Sequence, residues 1–354
     1  MKQSLIPSLR YNNVRNFVVQ EQGKLLIKQI DQTLKIIKNE VEILNFVCKG
    51  YDLIKTSTTY VLVAGEYYIS NDEVVRLKID DVEEYCQFQN ESYMNIALSK
   101  CVNLRKYYFI DLDKNEVIKS LSFDDLPKDI HCFNDKVIIC ILSTSKILDD
   151  IRVFDFGSGN LLWQFDALKM IPEDIVDKLN PIINISIPFV FHKDLLIFTT
   201  YKTLTALNVN TGELVYNKEH KGHGSQMYEN GIIYAHVEVG LTDIFSSYTA
   251  DTGELIVSKT IEKSMFTTKN ESLSYTEFNL TEKHLIITYR AGIHIVFLNK
   301  ETLEIEHIFN IKQAARERNA SIPRREYKPV LQDERLYQLL GSGELMVFDM
   351  EGLL

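Results

Sequence analysis

Short apolar runs of strand length, separated by clusters of Asn, Asp, Gly and Lys, fill most of the chain. KVIICILS from Lys136, DLLIFTT from Asp194 and HLIITYR from His284 are near-continuous apolar runs, whereas LTALNVN from Leu204 alternates. Strands at this density, with few long helical periods, predict an all-β protein.

From the middle of the chain onward one unit recurs: a strand, a short polar turn, and a second strand. Its clearest copies are LTALNVNTGELVYNKE from Leu204 and SSYTADTGELIVSKTI from Ser246. IRVFDFGSGNLLWQFD from Ile151, IHIVFLNKETLEIEHIF from Ile293 and YYFIDLDKNEVIKSLSF from Tyr107 follow the same plan, and LMVFDMEGLL from Leu345 is a truncated last copy. Gly159, Gly212 and Gly253 each stand just before the second strand, where a tight hairpin needs positive φ. Asp111, Asp155, Asn208 and Asp349 close the first strand, where a short polar side chain can bond the turn backbone. Each interval holds two more strands, as in DIHCFND and KVIICILS or IPFVFHK and DLLIFTT. The repeat is therefore about 40–50 residues, the size of a four-stranded propeller blade. Upstream, TYVLVAGEYYISNDEVVRLKI supplies three strands of a further blade, and YCQFQNESYMNIALSK matches CFNDKVIICILS in the next.

TALNVNTGELVY and YTADTGELIV resemble the pyrroloquinoline-quinone-enzyme type of propeller repeat (WD40-like in architecture), whose third and fourth strands carry an "aLdaxTGexxW" signature. VFDFGSGNLLWQF keeps the aromatic at Trp163. The resemblance covers the last two-thirds of the chain. It implies a β-propeller and leaves function open, because the same blade serves quinoprotein enzymes and non-catalytic scaffolds.

The expected architecture is one domain, residues 1–354, forming a seven-bladed propeller of four-stranded antiparallel blades. Seven turns count toward it, near Asn71, Asn115, Gly159, Gly212, Gly253, Thr302 and Gly352; eight blades is the runner-up if Asp31-Gln32 is another such turn. Because the last copy stops after a third strand, the ring must be closed by the N-terminal segment. KLLIKQIDQTLKIIKNEV is the expected partner of Leu345–Asp349, with a helix as its competing reading.

At 354 residues and 45% hydrophobic, the chain can bury a core without disulfide or metal staples. No signal-peptide core and no membrane-length apolar stretch is present in the sequence, so a cytoplasmic protein is expected. Cys48, Cys86, Cys101, Cys132 and Cys140 form no CxxC pair and read as free core thiols. A net charge of −10 argues against nucleic-acid binding and suits a basic protein partner.

Two connections are long, Ala167 to Ser186 and Ile311 to Pro329. The second carries Arg316, Arg318, Arg324 and Arg325, with Tyr327 beside them, a pattern that suits gripping carboxylates through guanidinium forks. With Arg290 and Tyr201 these form the expected partner-binding set; a solvated turn is the plain alternative. His220 and His223 have metal-like spacing without a third ligand, and Asp149 and Asp150 read as surface acids because neighbours on a strand point opposite ways. No catalytic residue, metal or cofactor is assigned, since GxSxG, HExxH, P-loop and GxGxxG motifs are absent from the sequence.

The functional expectation is a non-catalytic, protein-binding propeller, a monomer on its own. Its size, acidity and richness in Ile, Lys and Asn are similar to bacterial propeller-type immunity proteins, which implies a toxin as the partner to be occluded. The alternatives are a propeller enzyme (a quinone-dependent dehydrogenase, a hydrolase or a lyase) and a multi-partner assembly scaffold.

Overall fold

The computed structural model describes residues 2–4, 6–20, 24–48, 53–55, 61–63, 67–70, 72–77, 86–88, 96–101, 106–123, 127–142, 149–166, 189–199, 203–220, 226–239, 242–262, 265, 278–289, 294–311 and 329–354. Among them are eight sheets whose consecutive strands pair antiparallel. Numbered along the chain, these are sheet 1 (14–47), sheet 2 (53–76), sheet 3 (86–122), sheet 4 (127–166), sheet 5 (190–219), sheet 6 (226–262), sheet 7 (279–310) and sheet 8 (330–349). No helix long and apolar enough to cross a membrane occurs among the described residues.

The chain divides into two compact units. Cys48–His220 contains sheets 2 to 5; Met1–Val47 together with Lys221–Leu354 contains sheets 6, 7, 8 and 1. Inside each unit the core lies between successive sheets. In the first, Ile138, Ile151 and Val153 of sheet 4 pack on Leu196, Phe198 and Leu207 of sheet 5. In the second, Ile286, Ile295 and Phe297 of sheet 7 pack on Leu336, Met346 and Phe348 of sheet 8. Third strands such as Thr203–Asn208 and Thr242–Thr249 are buried along nearly their whole length whatever their polarity, with Thr205, Asp243, Ser246 and Ser247 as buried as their apolar neighbours. Fourth strands such as Glu116–Ser122 and Leu214–Glu219 are mostly exposed.

The turn between third and fourth strands is built as its residues dictate. Asp155 Oδ1 accepts the Ser158 N–H, Asn208 Oδ1 accepts those of Asn210 and Thr211, and Asp111 Oδ1 accepts those of Asp113 and Lys114. Gly159, Gly212 and Gly253 sit at φ of 76°, 75° and 66°, and each donates its N–H to the carbonyl four residues back. Leu303 fills the same place in sheet 7 at φ 56°, donating to Asn299 O. The pairing after this turn slips by one residue in sheets 1, 3, 4, 5, 6 and 7, a β-bulge repeated at one position of the repeat.

Eight sheets, not seven, fill the described chain, and the difference lies at the N-terminal end. KLLIKQIDQTLKIIKNEV does not complete the last sheet. Lys24–Gln29 and Thr33–Lys38 are the middle strands of sheet 1, flanked by Val14–Gln20 and Val41–Val47. Leu25, Leu26, Ile27, Leu34, Ile36 and Ile37 are all buried, so this hairpin needs cover on both faces and cannot serve as an outer strand. Asp31-Gln32 joins second strand to third; the third-to-fourth turn of sheet 1 is Asn39-Glu40, both at positive φ. The N-terminal segment does supply the missing strand, through Leu9–Tyr11. Leu9 opposes Val347 and Tyr11 opposes Leu345, Ser8 N–H donates to Val347 O, and Arg10 Nη1 reaches Glu344 Oε1 at 2.7 Å. Lys2–Ser4 adds a fifth, parallel strand along Ile305–Asn310 of sheet 7.

Candidate functional site

Every residue of the expected partner-binding set, Arg316, Arg318, Arg324, Arg325, Tyr327, Arg290 and Tyr201, lies outside the described residues, as does His223. The ends of the Arg-bearing connection are described: Ile311 is buried, and Pro329 O accepts a hydrogen bond from Asn279 Nδ2. His220 is buried. Asp150 accepts a hydrogen bond from Gln164 Nε2 and stands 3.9 Å from Arg152 two residues along the strand, the expected behaviour of a surface acid held in a cross-strand network.

Trp163, the single tryptophan, is committed to packing. Its Nε1–H donates to Val209 O at 3.0 Å, and its ring lies against Gly212 of the next sheet. An indole held in this way is a structural part of the blade.

Two groupings stand out among the described residues. The first is a set of exposed aliphatic residues where the fourth strands begin. In the Cys48–His220 unit these are Val117 and Ile118, Leu161 and Leu162, and Leu214 and Val215; in the other unit, Val41 and Ile43, and Leu255 and Ile256. Each pair surrounds the β-bulge, which turns an extra side chain outward on an outermost strand.

The second grouping belongs to sheet 7. His284 opens the second strand, and Glu306 and His307 lie on the fourth; one ligand atom from each falls within 4.8 Å of the other two. His284 Nε2 is 2.7 Å from Glu306 Oε2, and Asn299 Nδ2 donates to Glu306 Oε1 at 2.9 Å. The Asn299 hydrogen bond, with His284 beside it, draws the Glu306 carboxyl below its ordinary range. Burial, reinforced by His284, pushes His307 below the usual imidazole value. The ring of His284 stands edge-on to Phe297 and to His307, and His307 stacks on Phe309 at 5.8 Å. Beside His284 a cavity of about 400 Å³ is lined by Thr281, Gln332, Asp333, Glu334 and Leu354. Sequence reading missed this trio, although EIEHIFN from Glu304 set beneath ELVYNKE from Glu213 and ELIVSKT from Glu254 would have flagged an acid and an imidazole where those two copies are aliphatic or aromatic.

No protein-family model and no curated protein matches the chain. Among solved structures it is similar to BamB from Moraxella catarrhalis, at 11% identity and TM-score 0.61 over 98% of this chain and 99% of that one. It is also similar to Saccharomyces cerevisiae Sqt1, at 9% identity and TM-score 0.62 over 99% and 100%. The Myceliophteria thermophila Cps50 (Swd1) β-propeller domain aligns at 11% identity and TM-score 0.53 over 96% and 98%. Likeness at such identities carries the fold and nothing finer: the chain is an all-β propeller of four-stranded antiparallel blades.

Proposed function

We propose that this chain is a non-catalytic protein-binding propeller. The observation that carries the reading is the repeated exposure of aliphatic residues on outermost strands, from Val41 at 62% to Val117 at 36%. An outermost strand offers unpaired backbone groups as well as side chains, and apolar residues grouped there suit cover by another chain. A net charge of −10 favours a basic partner. The narrower reading is an immunity protein that occludes a toxin, supported by size and acidity. In it the connection from Ile311 to Pro329, with Arg316, Arg318, Arg324 and Arg325, provides the specific grip on partner carboxylates.

Photo-crosslinking tests the reading, with a benzophenone amino acid replacing Leu162 or Val215, one site at a time. The proposal expects one discrete crosslinked partner from cells of the source organism, lost when Leu161 and Leu214 are changed to Lys. A diffuse ladder of products unaffected by those changes would remove its support.

A further inference from the structure

We propose that sheet 7 binds a divalent transition-metal ion, zinc being the best fit, between His284, Glu306 and His307. The β-bulge brings the three together. On a regular strand Glu306 and His307 would point to opposite faces. Here Phe297 opposes His307 and Leu298 opposes Ile305, so Glu306 is the extra residue, and both its side chain and that of His307 reach His284.

The same extra residue in sheets 1, 3, 4, 5 and 6 is Ile43, Ile118, Leu162, Val215 and Ile256, and the residue after it is Leu44, Lys119, Trp163, Tyr216 and Val257. The place of His284, opposite the last residue of the third strand, is taken by Ile96, Lys136, Leu195, Ile232 and Arg335 in other sheets. Three positions that hold no imidazole or carboxylate in those sheets thus hold them together in one sheet. An ion pair would account for His284 and Glu306, and ring packing on Phe309 for a ring at His307; a metal ion accounts for all three and for their ligand atoms lying together.

The donor set is two imidazoles and one carboxylate, which suits zinc bound by three protein ligands with a fourth position for water. On a tetrahedral ion with bonds of about 2.0–2.1 Å, ligand atoms stand ~3.3 Å apart. The three ligand atoms lie within 4.8 Å of one another, so the site contracts by at most about 1.5 Å when the ion enters. The groups around the ligands hold them in place, as metal sites require. Asn299 orients the carboxylate while its own Oδ1 is fixed by the Glu301 and Thr302 N–H groups. Thr281 Oγ1 accepts the backbone N–H of His284, and Phe297 packs edge-on against both imidazoles. Coordination through Nε2 requires His284 to carry its proton on Nδ1, so its hydrogen bond to Glu306 gives way to two bonds to the ion.

The test uses the full chain, stripped with chelator and titrated with Zn²⁺ by calorimetry and with Co²⁺ by visible absorption. The expected result is one saturable equivalent, with the intense visible bands of a four-coordinate Co²⁺ site and a melting temperature raised by Zn²⁺. Glu306→Gln and His307→Ala, both at partly exposed positions, should each weaken binding at least tenfold and abolish the thermal shift. His307→Cys should keep binding and add a thiolate-to-cobalt charge-transfer band, which a merely structural role for His307 would not produce. Absence of saturable binding in the wild-type chain would overturn the proposal, as would binding unchanged in both Glu306→Gln and His307→Ala.

Discussion

A Cβ built on Gly212 would lie 2.7 Å from Cδ2 of Trp163, with Cε3 at 2.8 Å and Cγ at 3.0 Å. Glycine is needed here twice over, for the φ of 75° and for the indole that fills the space. Gly212→Ala should therefore cost both the left-handed strain of a non-glycine residue and an overpacking term, together about 2–4 kcal/mol. Gly352→Ala isolates the first effect, since φ is 70° and nothing lies within 4 Å of the added Cβ; it should cost about 1 kcal/mol. Urea denaturation of the two variants checks the difference, and equal losses would show that Trp163 yields without cost.

That contact also shows what the sequence makes legible. TGEL after Asn210 and the aromatic at Trp163 are local signals, each tied to one turn or one strand position, and they suffice for the repeat and the fold. Sheet 1 escaped because its third-to-fourth turn is Asn39-Glu40, a left-handed pair without glycine. The closing strand escaped because Leu9–Tyr11 has only three residues and holds its place through long-range pairing with Leu345, Met346 and Val347. The trio of sheet 7 depends on a bulge that brings neighbours to one side of a strand, which alternation rules read as opposite. The Arg-bearing connection was legible as a charge cluster only; its residues fall outside the described chain.

Leu303 occupies the glycine place of its turn at φ 56°, yet it is fully buried in the cluster that joins Phe245 of sheet 6 to Ile287 and Val296 of sheet 7. Two effects compete in Leu303→Gly. Relief of the left-handed conformation returns about 1–2 kcal/mol, whereas removal of a buried leucine side chain costs about 2–5 kcal/mol. The packing loss should win, giving a net destabilisation on the order of 1–3 kcal/mol. A variant more stable than wild type in chemical denaturation would mean that the backbone strain, not the burial, dominates this turn.

Removing residues through Tyr11 takes away the fourth strand of sheet 8 and uncovers Leu345, Met346 and Val347, all buried in the intact chain. An apolar third strand left as an edge invites pairing with another chain. The truncated protein should elute as higher oligomers in size-exclusion chromatography and lose its cooperative thermal transition. Arg10→Ala keeps the strand and removes only the ion pair with Glu344, so it should remain cooperative. A truncated chain that melts like wild type would show that Leu9–Tyr11 is not needed for closure.

Cys132 tests the burial of sheet 4 through its chemistry. Desolvation pushes its thiol from 9.0 up to about 12. The thiolate is the nucleophile, so native protein should leave Cys132 unalkylated by iodoacetamide from about pH 7 to 9, while urea-unfolded protein reacts readily. The same shift makes stability depend on pH, with a definite sign. The folded thiol holds its proton above the pH at which the unfolded thiol releases it. The contribution is therefore fully present below about pH 9 and declines as pH rises toward 12, by ~1.4 kcal/mol per pH unit within that window. Tyr107, also raised to about 12 by burial, adds to the decline at its upper end. Urea midpoints measured at about pH 8 and pH 10.5 should fall more steeply for wild type than for Cys132→Ala, in which this group no longer titrates. Parallel slopes for the two proteins, or rapid native labelling of Cys132 at the lower pH, would place the thiol in contact with water.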